Sequence, residues 1–348
     1  MNHRKSLLDW APGELTEWMD SRKHPGYRAR QILDWIVNKQ TLSFARMSDL
    51  PKTLRDDLER SFSISTLLLE FSVEAKDGTR KFLWKLQDGI HVESVLIVHP
   101  DHHTLCISSQ AGCALGCRFC ATASLGILRN LTTSEILSQI MEMLHLLGSS
   151  NRVNIVFMGM GEPLLNLENV ARSVQFLTSE EGMGWAKQRI TVSTAGIAPE
   201  IRRLHALAPG VRLAVSLNAP DDKTRNPLMP INKVYPLRIL MQALSEFPLP
   251  SRQHQITIEY IMIRNLNDTP EHAKKLTRLL SKDRYKINLI PFNSSSDSRY
   301  HPSDESVMLE FQKHLLDAGF LVRIRRSAGR EIAAACGQLA ANQAEHAR

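Results

Sequence analysis

No apolar run in the 348-residue chain approaches the roughly 18 residues needed to span a bilayer. A secretory signal is lacking as well. The opening Asn2-His3-Arg4-Lys5 is followed by an apolar stretch that Asp9 interrupts at once. These absences make a cytoplasmic protein with no membrane partner the expectation. Cysteine is scarce, with five residues in all. In a long chain without an export signal, five do not make a disulfide framework. No segment repeats at a solenoid period and no tract is of low complexity. What is present fits a globular protein: 43% hydrophobic and 23% charged residues, enough to bury a core and too apolar for disorder. Lys and Arg exceed Asp and Glu to give a net charge of +7. That mild excess suits either a nucleic-acid partner or a solvated basic surface. Two basic clusters stand out, Arg22, Lys23, Arg28 and Arg30 near the start and Arg323, Arg325, Arg326 and Arg330 near the end.

Periodicity divides the chain. Residues 1–62 read as a small helical unit. One helix over 29–37 places Ile32, Leu33 and Ile36 on one face after Pro25-Gly26, and a second follows Pro51 with Leu54, Leu58 and Phe62 at helical spacing. Residues 63–100 read as an antiparallel meander acting as a linker, with turns at Asp77-Gly78 and Asp88-Gly89. From 101 to 332 strands alternate with helices. The expected strands are 104–108, 153–158, 189–193, 211–217, 256–263, 286–291 and 321–325. A capping box at Thr132-Thr133-Ser134-Glu135 starts the clearest helix, with Ile136, Ile140, Met143, Leu144 and Leu147 as its stripe. Six or seven βα units imply an α/β fold with a parallel sheet, open or curled into a partial barrel, that binds ligands at the strands' C-terminal ends. A C-terminal segment, 333–348, completes the chain.

Cys113, Cys117 and Cys120 form C-x3-C-x2-C directly after the first of these strands. Three thiolates on one short loop suit a metal or cluster. Structural zinc wants four closed ligands, so a zinc site here needs a distant fourth such as Cys106 or a His. A [4Fe–4S] cluster held by three thiolates keeps one iron open for a small molecule.

The triad, with Phe119 before its last cysteine, resembles the radical S-adenosylmethionine (SAM) signature. The flanking segments are similar to those of the RlmN/Cfr family of RNA adenine methyltransferases: Cys106-Ile107-Ser108-Ser109-Gln110-Ala111-Gly112-Cys113, Arg129-Asn130-Leu131-Thr132, Gly159-Met160-Gly161-Glu162-Pro163-Leu164, Met229-Pro230-Ile231-Asn232, Ile287-Asn288-Leu289-Ile290-Pro291 and Ala335-Cys336-Gly337-Gln338-Leu339. The resemblance spans about residues 25–341.

It implies a partial (β/α)6 radical SAM barrel with a helical N-terminal RNA-binding domain, a [4Fe–4S] cluster on Cys113, Cys117 and Cys120, and two SAM molecules consumed per turnover. It implies that Cys336 carries a methyl group, that Cys106 resolves a covalent protein–RNA adduct through a Cys106–Cys336 disulfide, and that Glu93 accepts the ring proton. It places Gly161, Glu162, Ser193, Ser216, Leu217, Asn218 and Asn293 at SAM. The implied partners are 23S rRNA, tRNA or both, and a flavodoxin-type electron donor, for an enzyme that methylates adenine C2; the sequence carries no oligomerisation signal, and a monomer is the default expectation. C8 methylation, as in the Cfr branch, is the alternative, as are a catalytically retired RNA-binding paralogue and a zinc-dependent RNA binder.

Each residue also has a plain structural reading. Cys106 is then a buried strand thiol, Cys336 a small residue in an Ala-rich run, each serine a strand-end hydroxyl and Glu93 a surface strand carboxylate. The chain departs from the family pattern at Asn218, where His is usual, at Ala333, where Asp is usual before the cysteine, and at Ala123 after the triad.

Overall fold

The computed structural model describes residues 4–10, 12–148, 152–249, 254–293 and 300–340. The N-terminal part is helical. β1 (Lys5–Ser6) leads to α1 (Pro12–Ser21), α2 (Arg28–Val37) and α3 (Lys52–Ser61), and β2 (Phe62–Ser63) returns to pair with β1. α2 buries Ala29, Ile32, Ile36 and Val37, and α3 buries Leu54 and Leu58 on the expected spacing. Phe62 is not the next turn of α3: it is the extended cap residue, and its ring takes Trp10 and Trp18 edge-on at 4.7 and 5.0 Å. α1, which the periodicity does not announce, contributes Leu15 and Met19 to the core.

β3 (Leu68–Glu74), β4 (Arg80–Lys85) and β5 (His91–Val98) form the meander. Its turns close as the Asp-Gly pairs demand, Asp77 accepting from the Thr79 amide and Asp88 from the Ile90 amide. The meander is continuous with the rest of the molecule, because β5 pairs antiparallel with β6 (His103–Cys106). β7 (Gln110–Gly112), α4 (Ala121–Ser124) and β8 (Ile127–Asn130) follow as a side hairpin carrying the cysteine loop.

The chain then alternates through α5 (Thr133–Leu147), β9 (Val153–Phe157), α6 (Leu167–Thr178), β10 (Ile190–Thr194), α7 (Ala198–Leu207), β11 (Arg212–Ser216), α8 (Asp222–Leu228), α9 (Leu237–Glu246), β12 (Ile256–Met262), α10 (Pro270–Leu279), β13 (Tyr285–Pro291), α11 (Glu305–Asp317) and β14 (Val322–Ile324). One ten-stranded sheet runs β14-β13-β12-β11-β10-β9-β6-β5-β4-β3. β6 and β9 to β14 are mutually parallel, giving six strand–helix units and a final strand in an open arrangement, the partial (β/α)6 fold. Side chains from β9 to β13 meet in one cavity, which requires the sheet to curl around it. The capping box of α5 forms as read, Thr132 Oγ1 accepting from the Glu135 amide and Glu135 from the Thr132 amide. Residues 341–348 of the C-terminal segment lie outside the described residues. No helix among the described residues is long and apolar enough to cross a membrane.

Asp221 ties two elements of the barrel wall. It caps α8 by accepting from the Thr224 amide at 2.8 Å, and it accepts from Lys275 Nζ of α10 at 2.8 Å. Burial works to raise its carboxyl, but these partners outweigh burial and hold it at about 2. A depressed carboxylate stabilises the fold above its unfolded value and loses that contribution as pH falls through the folded one. Asp221→Asn is therefore expected to cost about 1 kcal/mol at neutral pH. Urea denaturation in steps from pH 7 toward 3 should show the gap narrowing below the unfolded value of 3.8. A gap independent of pH would assign the loss to side-chain shape instead.

Candidate active site: two cavities joined by one thiol

The cysteine loop is held from both sides. The Cys113 amide donates to Gly126 O at 2.7 Å, the Arg118 amide to Leu228 O at 3.0 Å and the Ala121 amide to Gly337 O at 2.7 Å. Cys113, Cys117 and Cys120 line a cavity of about 940 Å³, including its open mouth. The opposite wall comes from strand ends: Phe157 of β9, Ser193 and Thr194 of β10, Ser216 of β11, Glu259 and Ile261 of β12 and Ile290 of β13. Burial pushes the Cys113 thiol up to about 11 and raises Cys117 as well, with the neighbouring cysteines adding to the rise at Cys117. A bound cation reverses this and takes thiolates. Among the described residues no three His, Cys, Asp or Glu groups are gathered closely enough to hold a single metal ion. Three thiols along one cavity wall suit a larger, thiolate-ligated cluster.

Beneath the loop lies Arg225, fully buried. It donates to Leu217 O (2.9 Å), Asn232 Oδ1 (2.7 Å), Ala195 O (2.6 Å) and Ser216 O (3.2 Å), fastening the ends of β10 and β11 together. Burial draws its guanidinium down to about 10, against the opposing pull of Cys117.

Gly161 has φ +97°, and a Cβ there would stand 2.5 Å from Gln110 Cβ, so the backbone passes where only glycine fits. This lets the Glu162 amide donate to Gln110 Oε1 at 2.8 Å. The Glu162 carboxylate is buried, accepts from the Ala195 amide at 2.7 Å and the Leu164 amide at 3.1 Å, and is pushed up by burial to about 7. Both oxygens thus already serve the fold, yet each keeps a lone pair and Glu162 remains part of the wall. Ser193 and Ser216 line the cavity as expected.

Glu259, which the sequence reading passed over, offers more. One of its oxygens accepts from Asn288 Nδ2 at 3.0 Å, and the other is buried without a partner among the described residues. The SAM ammonium and ribose hydroxyls are donors, so an orphaned carboxylate oxygen in this wall fits that cofactor.

Leu217 and Asn218 are not on the wall. Both are fully buried. Asn218 sits at φ +58°, its Oδ1 accepting from the Ile261 amide at 2.9 Å and its Nδ2 facing Met229 Sδ at 3.4 Å. The strand end has turned the residue away into the loop packing, where Asn tolerates the left-handed backbone. Asn293 also stands off this wall. Its Nδ2 donates to Ser327 Oγ at 3.0 Å and Cys336 O at 3.3 Å, and its buried Oδ1 has no partner among the described residues.

A second cavity opens beside the first, lined by Cys106 at the end of β6, Met158, Arg325, His99 and Ala335. Cys336 lines both. Burial, then the neighbouring Cys336, pushes the Cys106 thiol up to about 12, and burial raises Cys336 too. All five cysteines are free.

Cys336 is held there by its own segment. Thr122 Oγ1 donates to Leu339 O at 2.6 Å, the Lys76 amide to Glu331 Oε1 at 2.7 Å and the Gly329 amide to Asp77 at 3.0 Å. Glu93 belongs to this latch. Val95 is paired with Cys106, so Glu93, two residues earlier, shares the face of Cys106. That face is covered. Glu93 is 1% exposed, with Lys81 Nζ at 3.1 Å and the Ala340 amide at 2.8 Å. It is not a surface strand residue.

A family model described as the Radical SAM superfamily matches residues 107–280, and one described as the ribosomal RNA large subunit methyltransferase N-terminal domain matches residues 5–64. The dual-specificity RNA methyltransferase RlmN of Geobacter sulfurreducens is 48% identical over 94% of this chain and 89% of its own length. That of Syntrophobacter fumaroxidans is 45% identical over 96% of this chain and 98% of its own. Among solved structures, a radical SAM methyltransferase from Sphaerobacter thermophilus superposes with a TM-score of 0.91 at 39% identity, covering 97% of this chain and all of the other.

Proposed function

The chain belongs to the RlmN family of radical SAM enzymes, and on that premise we propose that it methylates C2 of an adenosine in 23S rRNA and tRNA through a methyl group carried on Cys336. One observation carries this reading: Cys336 is the single thiol on the walls of both the three-cysteine cavity and the Cys106 cavity. The relatives are dual-specificity RNA methyltransferases by name, which fits a reading with two RNA substrates.

Adenine C2 is electron-poor and has no lone pair to offer a methyl cation, so simple displacement does not serve. A [4Fe–4S] cluster on Cys113, Cys117 and Cys120 with SAM supplies a carbon radical when bound, by reductive cleavage. The chain's own residues do the rest. Glu162, Ser193 and Ser216 orient the cofactor from the strand ends. Cys336 takes a methyl group on its sulfur from one SAM, presents that carbon to the first cavity for hydrogen removal, and then joins it to the ring. Glu93 accepts the ring proton once the Ala340 contact opens. Cys106 attacks the Cys336 sulfur and releases the product. The second SAM and a flavodoxin-type reductant complete the stoichiometry. The exposed Arg22, Lys23 and Arg30 of the helical unit are suited to RNA phosphates; Arg28 is already spent on Gln31 and Asp49 O.

The test is a peptide map of anaerobically prepared protein. The Cys336 peptide should carry one extra methyl group, labelled when the cells are fed labelled methionine. A methyl-free Cys336 in active protein contradicts the proposal. Glu93→Gln should lower product formation on the order of a hundredfold while SAM binding, followed by equilibrium dialysis, stays unchanged. An unaltered rate would leave Glu93 a purely structural partner of Lys81.

A further inference from the structure

The Cys106 cavity contains a cation, Arg325, that the reaction above leaves unused. The Arg325 amide donates to Leu289 O at 2.8 Å, extending the β14–β13 pairing one residue past the strand. Its side chain joins the wall shared by Cys106 and Cys336. Among the described residues its only side-chain hydrogen bond is the long one from Nη1 to Met158 Sδ, 3.8 Å. A largely buried guanidinium with no oxygen partner is costly unless an anion faces it. Burial would lower its basicity, but Cys336, Glu259 and Cys106 outweigh burial and raise it. Arg325 is also the cation that lowers both Cys106 and Cys336 against burial. The other ionisable groups on this wall are His99, kept toward neutrality by burial and by His102, and Arg326, whose guanidinium is engaged by Glu305.

We propose that Arg325 is the positioning residue of the cysteine pair, its guanidinium stabilising the negative charge that develops on the Cys106 sulfur as it attacks Cys336 in the step that releases product. This rests on the roles given above to the two cysteines. In that step the Cys106 sulfur lone pair forms the S–S bond. The bond from the Cys336 sulfur to the RNA-linked carbon breaks, its electron pair stays on carbon, and the proton that Cys106 gives up balances the one that completes the methyl group. Arg325 gives neither proton nor electrons. It offsets part of the cost of charging the Cys106 sulfur in a desolvated site.

The test reads Cys106 directly, in the full-length holoenzyme without RNA. Alkylation by iodoacetamide is followed at the Cys106 peptide by mass spectrometry. Arg325→Gln should slow it about tenfold or more, and Arg325→Lys should restore it to within about threefold. Equal rates in the parent and in Arg325→Gln would overturn the proposal. If Arg325→Gln does not fold, the parent protein suffices. Iodoacetate, an anion, should gain on neutral iodoacetamide at Cys106 relative to the same ratio at free glutathione, and a ratio no higher than glutathione's would overturn it. Under turnover, Arg325→Gln should accumulate the protein–RNA adduct with Cys336 methylated normally. The alkylation readouts need no methyl transfer, so their failure is distinguishable from a failure of the methylation reading, which the Cys336 peptide reports independently.

Discussion

Cys336→Ala is expected to abolish methylation, by a factor on the order of 10⁴ or more, while the iron–sulfur chromophore assembles normally. The cluster loop does not depend on this side chain. Its tie to the C-terminal segment runs from the Ala121 amide to the carbonyl of Gly337, and Asn293 grips the backbone carbonyl of residue 336. Removing one partly exposed sulfur should cost about 1 kcal/mol of stability or less. What is lost is the only thiol common to both cavities, and with it the methyl carrier. Iron and sulfide content, absorbance and product formation, measured on one preparation, check the prediction. Residual turnover within tenfold of the parent would require another carrier, and the other cysteine of the second cavity, Cys106, does not line the first.

Cys106→Ala should have the opposite signature. Cys336 still takes its methyl group and still joins the ring, but the carbon–sulfur bond cannot be cleaved by disulfide formation. The chain should therefore stall as a covalent protein–RNA adduct, visible as a nuclease-sensitive band on a denaturing gel and as a nucleotide on the Cys336 peptide. Cys106 is suited to this single duty. It shares a wall with Cys336 and lies on β6 between β5 and β9, where the backbone is fixed by pairing on both sides. Full turnover without an adduct would remove Cys106 from the reaction.

Most of the barrel was legible because its strands are short apolar runs separated by helices with clear caps, and parallel strands buried on both faces leave that trace. The cysteine loop was legible from spacing alone. The union of meander and barrel was not. It depends on the β5–β6 hairpin, which turns at Pro100 and Asp101 between stacked His99 and His102 rather than at an Asp-Gly pair. Arg225, Glu259 and Arg325 were missed for one reason: a charged residue in a helix or strand reads as a surface residue until packing shows otherwise.

Two of the three departures from the family pattern gain a physical meaning from the backbone. Asn218 and Ala333 both adopt positive φ, 58° and 50°. Asn is among the residues that tolerate this region, so Asn218 is well placed structurally. Ala333 lacks a side chain that bonds locally, and carries strain of roughly 1–2 kcal/mol at the entry to the Cys336 segment. Glu93 was not placed by a local sequence signal, because the latch formed by Lys81 and Ala340 depends on the tertiary fold.

The most direct measurement is nucleoside mass spectrometry after an anaerobic reaction of the cluster-loaded enzyme with SAM, a reductant and unmodified 23S rRNA or tRNA. The proposal predicts 2-methyladenosine in both RNAs, absent without SAM. The appearance of 8-methyladenosine, or of no methylated adenosine with the iron–sulfur absorbance intact, would contradict it.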